Sequence, residues 1–280
     1  MVSIFDLAAR VFERSESAHN YLRRFYFRGK GRIVQRLRDQ KGYVAAPCDG
    51  VVFRLNLEEH FEKAIYFNLY ERKDWAAIRP LIPVGGTCID VGANIGFYAL
   101  RFARIVGPFG HVYAFEPDPV AFSRLVMHRE SNGFDGVLEC YRTALSNEQG
   151  EATLYRFLPN AGWSSLHRFA DLDTCAEVVP TQTLDDFLEK RRIDQVDVLK
   201  LDAEAHEPEI LAGAARSLAR RTYNYILMEF NGPELRERGK SIADSWTPLQ
   251  ASGYRPCPSF ARTLEKLTDK DIRNILFQRS

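Results

Sequence analysis

Residues 88–100 read CIDVGANIGFYAL, and this stretch decides the fold. Cys88-Ile89-Asp90-Val91 is a short apolar run. Gly92 and Gly96 follow, with Ala93, Asn94 and Ile95 between them, and from Phe97 to Val106 apolar residues recur at helical spacing. The order is strand, tight glycine turn, helix. Glycines keep such a turn free of bulk, so backbone can approach a ligand closely. The start of the helix offers unpaired N–H groups to a polar or anionic ligand group. A dinucleotide fingerprint requires G-x-G-x-x-G beside a pyrophosphate. Here the pattern is D-V-G-A-N-I-G, and an aspartate just before the first glycine suits a positively charged ligand group instead. Glu116 ends a second apolar run, HVYAFEPDP, twenty residues past Gly96. An acid in that place accepts hydrogen bonds from ribose hydroxyls. A nucleoside joined to an amino acid, without phosphate, is S-adenosylmethionine. The glycine turn by itself fits any Rossmann-like protein; Glu116 at this spacing narrows the reading.

The chain has 280 residues, with 45% hydrophobic and 27% charged residues, which are globular proportions. The formal net charge of +1 sets up no field that would draw nucleic acid. Cys48, Cys88, Cys140, Cys175 and Cys257 show no C-x-x-C spacing, which argues against a disulfide framework or a zinc site. No signal-peptide h-region and no apolar run near membrane-spanning length is visible, so the expected location is cytoplasmic.

Residues 1–42 differ from the rest. Ile4, Leu7, Ala8, Val11 and Phe12 mark one amphipathic face, and ten basic against four acidic residues occur up to Gly42. A basic amphipathic helix of this kind can lie on an anionic membrane or bind a partner. The plainer expectation is a helical extension that covers the remaining domain or forms a dimer contact. The predicted division is therefore 1–42, a basic helical extension, and 43–280, the main domain.

Within 43–280, two short strands are expected over 42–57 and a helix over 57–70. After the glycine turn and its helix come a strand at His111–Phe115, a helix at about 120–132 and a strand at 137–144. EATLYRF and AEVVPTQ read as strands, with a long loop between them. LDDFLEKRR is a helix that Thr183 caps. VDVLKL, Val196 to Leu201, is an apolar strand. A helix over 208–220 and a strand over 225–228 follow, then a helix at 242–251 and two last strands near Tyr254 and at 274–278. Strands alternating with helices predict a parallel, doubly wound α/β sheet. Ligands bind at the carboxyl ends of such strands, where Asp90, Glu116, Asp202 and Glu229 all fall.

From Tyr70 to Asn231 the chain resembles the FkbM family of S-adenosylmethionine-dependent methyltransferases. The matching pieces are IDVGANIGFYAL, FEPDP, TALSNEQGEATLY, SSL, PTQTLDDFL, VDVLKLDAEAHEPEILAG and ILMEF, in the family's order. The resemblance implies the class I methyltransferase fold, a Rossmann-like, mostly parallel seven-stranded sheet with helices on both faces, and GYRPC and NILFQ as its last two strands. It implies O-methylation of a sugar, a glycolipid or a polyketide-type metabolite. One departure stands out. The family has D-x-E-G after the fourth strand, and here Ala205 stands in the glycine position, followed by His206. If that glycine has a positive φ, Ala205 must take another path or carry strain.

Methyl transfer from a sulfonium is an in-line displacement. Positioning supplies much of the rate, and a general base removes the acceptor's proton. Asp202, Glu204 and His206 are the candidate catalytic residues, and which of them is the base stays open. Paired acids can also bind Mg²⁺, but the resemblance does not favour a metal and no metal ligand is expected. Lys200, on an apolar strand, has an acid or a purely structural partner. The expected cofactor contacts are Glu71, Asp90, Gly92, Asn94, Gly96, Glu116, Ala144 and Asp202, with helix capping as the other reading of Asn94. Trp163, Ser164, Ser165 and Glu229 are the expected acceptor contacts. The rival functions are a non-catalytic module that kept the cofactor fold and a nicotinamide-dependent oxidoreductase. A nucleic-acid methyltransferase would need a broad basic face. The expected partner is a small-molecule or glycan acceptor.

Overall fold

The computed structural model describes residues 36–39, 42–157, 164–167 and 174–280. Most of the 1–42 segment and Trp163 therefore lie outside the described residues. The chain forms two compact units, Met1–Lys73 and Asp74–Ser280.

The first unit contains an antiparallel hairpin, β1 (Val44–Cys48) and β2 (Val51–Leu55), and helix α1 (His60–Tyr66). Along each strand every second side chain is buried, the period-two pattern of a half-buried strand. Asp49 and Gly50 turn the hairpin with φ of 53° and 75°. Two successive left-handed residues match the twist of the flanking strands, and Asp-Gly adopts them readily.

The second unit follows α2 (Arg72–Ile78), which spans the division. Its elements are β3 (Thr87–Val91), α3 (Ala99–Val106), β4 (His111–Phe115), α4 (Pro119–Ser131), β5 (Leu138–Tyr141), β6 (Ala144–Leu145), β7 (Gly150–Phe157), β8 (Ser164–Ser165) and β9 (Thr174–Gln182). Then come α5 (Leu184–Arg191), β10 (Val196–Leu201), α6 (Glu207–Ala212), α7 (Ala215–Ala219), β11 (Tyr223–Asn231), α8 (Gly232–Glu237), α9 (Ile242–Ala251), β12 (Tyr254–Pro256), α10 (Pro258–Glu265) and β13 (Ile272–Arg279).

Seven strands form one sheet in the order β12-β13-β11-β10-β3-β4-β5. β10 pairs parallel with β3 and β11, and β3-β4-β5 continue in parallel. β13 runs antiparallel to β11 and β12. This is the class I methyltransferase topology that the resemblance implied. β3 and β10 lie at the centre, and almost all of their side chains are buried, as continuous apolar runs in a parallel sheet require. The core runs from Ile89 and Val91 through Leu199 and Leu201 to Phe230 and Phe277.

Two expectations need correction. The strand expected over 137–144 is broken. β5 stays in the main sheet, whereas β6 joins β7, β8 and β9 in a four-stranded sheet of its own. The helix expected over 208–220 splits into α6 and α7 around Gly213. A Cβ on Gly213 would stand 2.0 Å from the Ser146 carbonyl oxygen, so backbone contact from the 146 turn sets that break. Among the described residues no helix is long and apolar enough to cross a membrane.

Candidate active site

The carboxyl ends of β3, β4 and β10 open into one cleft of about 690 Å³, counting its mouth. Gly92, Asn94, Glu116, Ala144 and Ser164 line it, together with Asp202, Glu204 and His206.

The glycine turn is held from below and from the side. Gly92 and Ala93 N–H both donate to the Phe115 carbonyl at 3.0 Å, which ties the turn to the end of β4. Gly92 has φ 72°, and a Cβ on it would stand 1.7 Å from the Asp202 carbonyl oxygen. Only glycine permits that approach of the β3 and β10 ends. Gly96, at φ 95°, abuts the ends of Leu125 and Leu100 outside the cleft lining. Asp90 is buried beneath the turn, and its Oδ2 accepts from Ala99 N–H at 2.8 Å, at the first residue of α3. A carboxylate there satisfies a free helical donor and complements the helix dipole. Asp90 thus shapes the turn without lining the cleft.

Glu116 is 6% exposed. Its Oε2 accepts from Asn94 N–H at 2.7 Å and its Oε1 from Asp118 N–H at 2.8 Å. Burial pushes its carboxyl up to about 8, against the pull of the Asp118 and Asn94 donors. Asn94 adopts a left-handed φ of 50°. It does not cap α3, whose N-cap is Tyr98, and its Oδ1 is buried with no hydrogen-bond partner. A buried acceptor without a donor is costly unless something else satisfies it. The unpaired Asn94 oxygen and the space that only Gly92 leaves open therefore both fit S-adenosylmethionine.

Asp118 was not among the expected site residues. Its Oδ1 caps α4 by accepting from Val120 and Ala121 N–H, and its Oδ2 accepts from Arg156 Nε at 2.6 Å and Ser164 Oγ at 2.8 Å. One buried carboxylate thus fastens β7 and β8 to the cofactor side of the cleft. Its helix-capping half was legible, since Asp-Pro after a strand marks an N-cap followed by proline at N1.

At the end of β10 the charges are dense. Lys200 is fully buried, with Nζ 2.8 Å from Asp202 Oδ2 and 5.1 Å from the centre of the Tyr98 ring. Burial, then the charges of Asp202, Glu234 and Glu207, raise the Glu204 carboxyl well above its ordinary range, and Lys200 opposes them. Burial, then Asp202 and Glu204, raise Glu229 likewise, although Glu229 lies outside the cleft lining. Ser165 Oγ donates to the Glu204 carbonyl at 3.3 Å.

His206 is 6% exposed, and both ring nitrogens face protein atoms. Nε2 is 3.0 Å from Ser146 Oγ, and Nδ1 is 3.0 Å from His167 Nε2. Burial lowers His206 to about 4 and His167 to about 3, so both are neutral at pH 7. Against burial, hydrogen bonds from Lys240 and Arg238 hold Glu209 at about 2. The role of His167 was also missed, because nothing in sequence spacing places it beside His206. Glu71 belongs to the first unit, at φ 41°.

Ala205 settles how the missing glycine is accommodated. Glu204 and Ala205 both take left-handed φ, 49° and 62°, so Ala205 carries the strain that a glycine would avoid. Ala205→Gly would relieve about 1–2 kcal/mol of left-handed strain. It would also add about 0.5–1 kcal/mol of backbone entropy and remove a fully buried methyl worth about 0.8 kcal/mol. These terms nearly cancel, so the variant's urea unfolding free energy is expected within about 1 kcal/mol of the parent's. A larger change would show that the turn itself rearranges.

Residues 90–268, well over half of the chain, match the Methyltransferase FkbM domain. The chain is 32% identical over 213 residues to the 31-O-demethyl-FK506 methyltransferase FkbM of Streptomyces tacrolimicus, covering 65% of this chain and 76% of that protein. It is 29% identical over 142 residues to the hexuronic acid methyltransferase AglP of Haloferax volcanii, covering 51% of this chain and 54% of the relative. It therefore spans about half the length of that archaeal relative. A third relative, the 2-O-methyltransferase NoeI of Sinorhizobium fredii, is 26% identical over 167 residues, with 53% of this chain and 65% of that protein covered. Among solved structures, the methyltransferase FkbM from Methylobacillus flagellatus aligns with a TM-score of 0.43 and 13% identity, covering 89% of this chain and 57% of the other. The chain belongs to the FkbM family of S-adenosylmethionine-dependent methyltransferases.

Proposed function

We propose that this protein methylates a hydroxyl oxygen on a sugar, a glycolipid or a secondary metabolite by in-line displacement. The observation that carries the reading is a single cleft in which the glycine turn, Glu116 and the 202–206 turn meet. Bound S-adenosylmethionine supplies an electrophilic methyl group on a sulfonium. Glu116 uses one lone pair of each oxygen on Asn94 and Asp118 N–H, leaving about two for ribose hydroxyls. Asn94 Oδ1 accepts a donor of the cofactor, Asp90 fixes the turn from below, and Ala144 borders the nucleobase through its backbone. Gly96 sets the turn's path beside them. Lys200 neutralises Asp202 and keeps that carboxylate in place.

Glu204 is the proposed general base. Its raised basicity brings it closer to the value a base needs at neutral pH. His206 is the weaker candidate, because both of its ring nitrogens are engaged by Ser146 and His167. Ser164 and Ser165 shape the acceptor side through Asp118 and the Glu204 carbonyl. Support for an oxygen acceptor comes from the relatives, whose names specify 31-O-demethyl-FK506, a hexuronic acid and a 2-O position. In this reading residues 43–280 carry the chemistry and 1–42 are a basic extension.

The test is calorimetric titration of the full chain with S-adenosylmethionine, with NAD⁺ as control, followed by an acceptor screen of sugars and lipids. Micromolar binding of S-adenosylmethionine alone is expected. Two hydrogen bonds of about 0.5–1.5 kcal/mol each are at stake in Glu116→Ala, so its affinity should fall about 10–100-fold. Glu204→Gln should keep cofactor affinity and lose about 10²–10⁴-fold in methyl transfer. Unchanged cofactor binding in Glu116→Ala, or binding of NAD⁺ alone, would overturn the proposal.

A further inference from the structure

Beside the cleft, three potential ligand atoms converge from two separate elements. His206 and Glu209 stand three residues apart at the start of α6, on one face of the helix. His167 approaches from the segment after β8. The nitrogens His206 Nδ1 and His167 Nε2 are 3.0 Å apart, Glu209 Oε2 is 3.7 Å from His206 Nδ1, and all three atoms lie within 4.8 Å of one another. We propose that His167, His206 and Glu209 form a binding site for a divalent transition-metal ion of the zinc class.

Four features of the site support this. First, the separation fits: two nitrogens bound tetrahedrally to zinc at about 2.0–2.1 Å are about 3.3 Å apart, a few tenths from that observed. Second, the tautomer of His206 is set from outside. Asn147 Oδ1 accepts from Ser146 Oγ–H, which leaves the Ser146 oxygen to accept from His206 Nε2–H. Nδ1 then presents its lone pair to His167 and Glu209. A metal-bound imidazole is oriented in this way, through a hydrogen bond from its far nitrogen. Third, Glu209 Oε2 is buried with no hydrogen-bond partner, although the other oxygen of the same carboxylate takes both Arg238 Nη2 and Lys240 Nζ. The carboxylate is thus clamped with one oxygen left for a cation. Fourth, the donor set selects the ion. Two imidazoles and one carboxylate suit zinc and its neighbours, whereas Mg²⁺ and Ca²⁺ need more oxygen ligands than this site offers. Arg238 and Lys240, the cations facing Glu209, weaken any ion held by charge alone and so sharpen that preference. Three protein ligands leave a fourth tetrahedral position for water or an acceptor group. An ion here would join α6 to the segment carrying Ser164 and Ser165.

The test uses the full chain, stripped with a chelator and titrated with Zn²⁺ in a calorimeter. Co²⁺ serves as the spectroscopic probe, and S-adenosylmethionine is titrated separately. One Zn²⁺ per chain is expected at micromolar affinity or tighter, with no heat from Mg²⁺. Co²⁺ should show visible ligand-field bands without thiolate charge transfer. Losing an outer partner costs about 10–100-fold in metal affinity, so Ser146→Ala should weaken Zn²⁺ binding by that factor, and His167→Ala and Glu209→Gln by about 100-fold or more. His167 is only partly buried, so His167→Ala is the variant that best keeps the fold, and retained S-adenosylmethionine binding confirms that it has. No Zn²⁺ binding by the parent chain overturns the site. Binding that survives His167→Ala, or that shows thiolate bands, overturns it too, because the ion then sits elsewhere. Either result leaves the methyltransferase reading intact, because cofactor binding is measured independently.

Discussion

Gly92→Ala is expected to abolish S-adenosylmethionine binding and to cost about 3–5 kcal/mol of stability. The new Cβ would lie 1.7 Å from the Asp202 carbonyl oxygen and 2.8 Å from its carbon. Both are backbone atoms, so no side-chain rotation relieves the clash. Left-handed φ adds about 1–2 kcal/mol. Relief requires the ends of β3 and β10 to part, which breaks the 3.1 Å bond from Asp202 N–H to the Val91 carbonyl. A loss of this size is a large share of a domain's net stability. Gly96→Ala is the informative comparison, since at φ 95° it shares the backbone strain but its Cβ would meet the side chains of Leu125 and Leu100 first, rather than backbone atoms. Urea unfolding of both variants, with cofactor titration, checks this. If Gly92→Ala binds cofactor normally and loses less than about 1 kcal/mol, the close approach of the two strand ends is not what shapes the turn.

Lys200→Met is expected to cost about 3–5 kcal/mol, because removing one partner of a buried ion pair strands the other charge. Here the stranded charge is Asp202, beside Glu204, Glu207 and Glu229, all of which Lys200 helps to hold down. The loss should also depend on pH, and its sign follows from those raised carboxyls. An acid whose folded value exceeds its unfolded one holds more protons when folded. Its penalty is absent below the unfolded value near 4.5 and grows as pH rises toward the folded value, about 7 for Glu207. Without Lys200 the folded values climb further, so the variant's deficit widens between pH 5 and pH 8. Urea midpoints of parent and variant at those two pH values measure it. Equal deficits at both would mean that lost packing, not charge, accounts for the effect.

The features legible in the sequence are those built from neighbouring residues. The strand, glycine turn and helix of 88–106 are local, because φ at Gly92 and the helical spacing after it depend on residues a few positions away. Glu116 was legible for a similar reason, since a parallel strand delivers its last residues to the ligand edge of the sheet. Thr183 and Asp118 as helix caps follow from the same short-range chemistry. Even the conflict at Ala205 could be stated in advance.

How that conflict is resolved required the tertiary structure, as did every contact that joins distant segments. Ala205 keeps a left-handed φ because Glu204 and His206 are held from outside the turn, by Ser165, Ser146 and His167. Asp118 became a hub because the chain returns from β7 and β8 to bring Arg156 and Ser164 onto it. β6 left the main sheet to pair with β9, and α6 ended early because Gly213 lies against Ser146. His167, His206 and Glu209 meet only because β8 folds against the start of α6. Propensity and spacing act over a turn of helix or a strand, whereas contacts across long loops depend on which surfaces the completed sheet brings together. In this protein the fold and the cofactor turn belong to the first kind, and the charged, histidine-bearing wall of the cleft to the second.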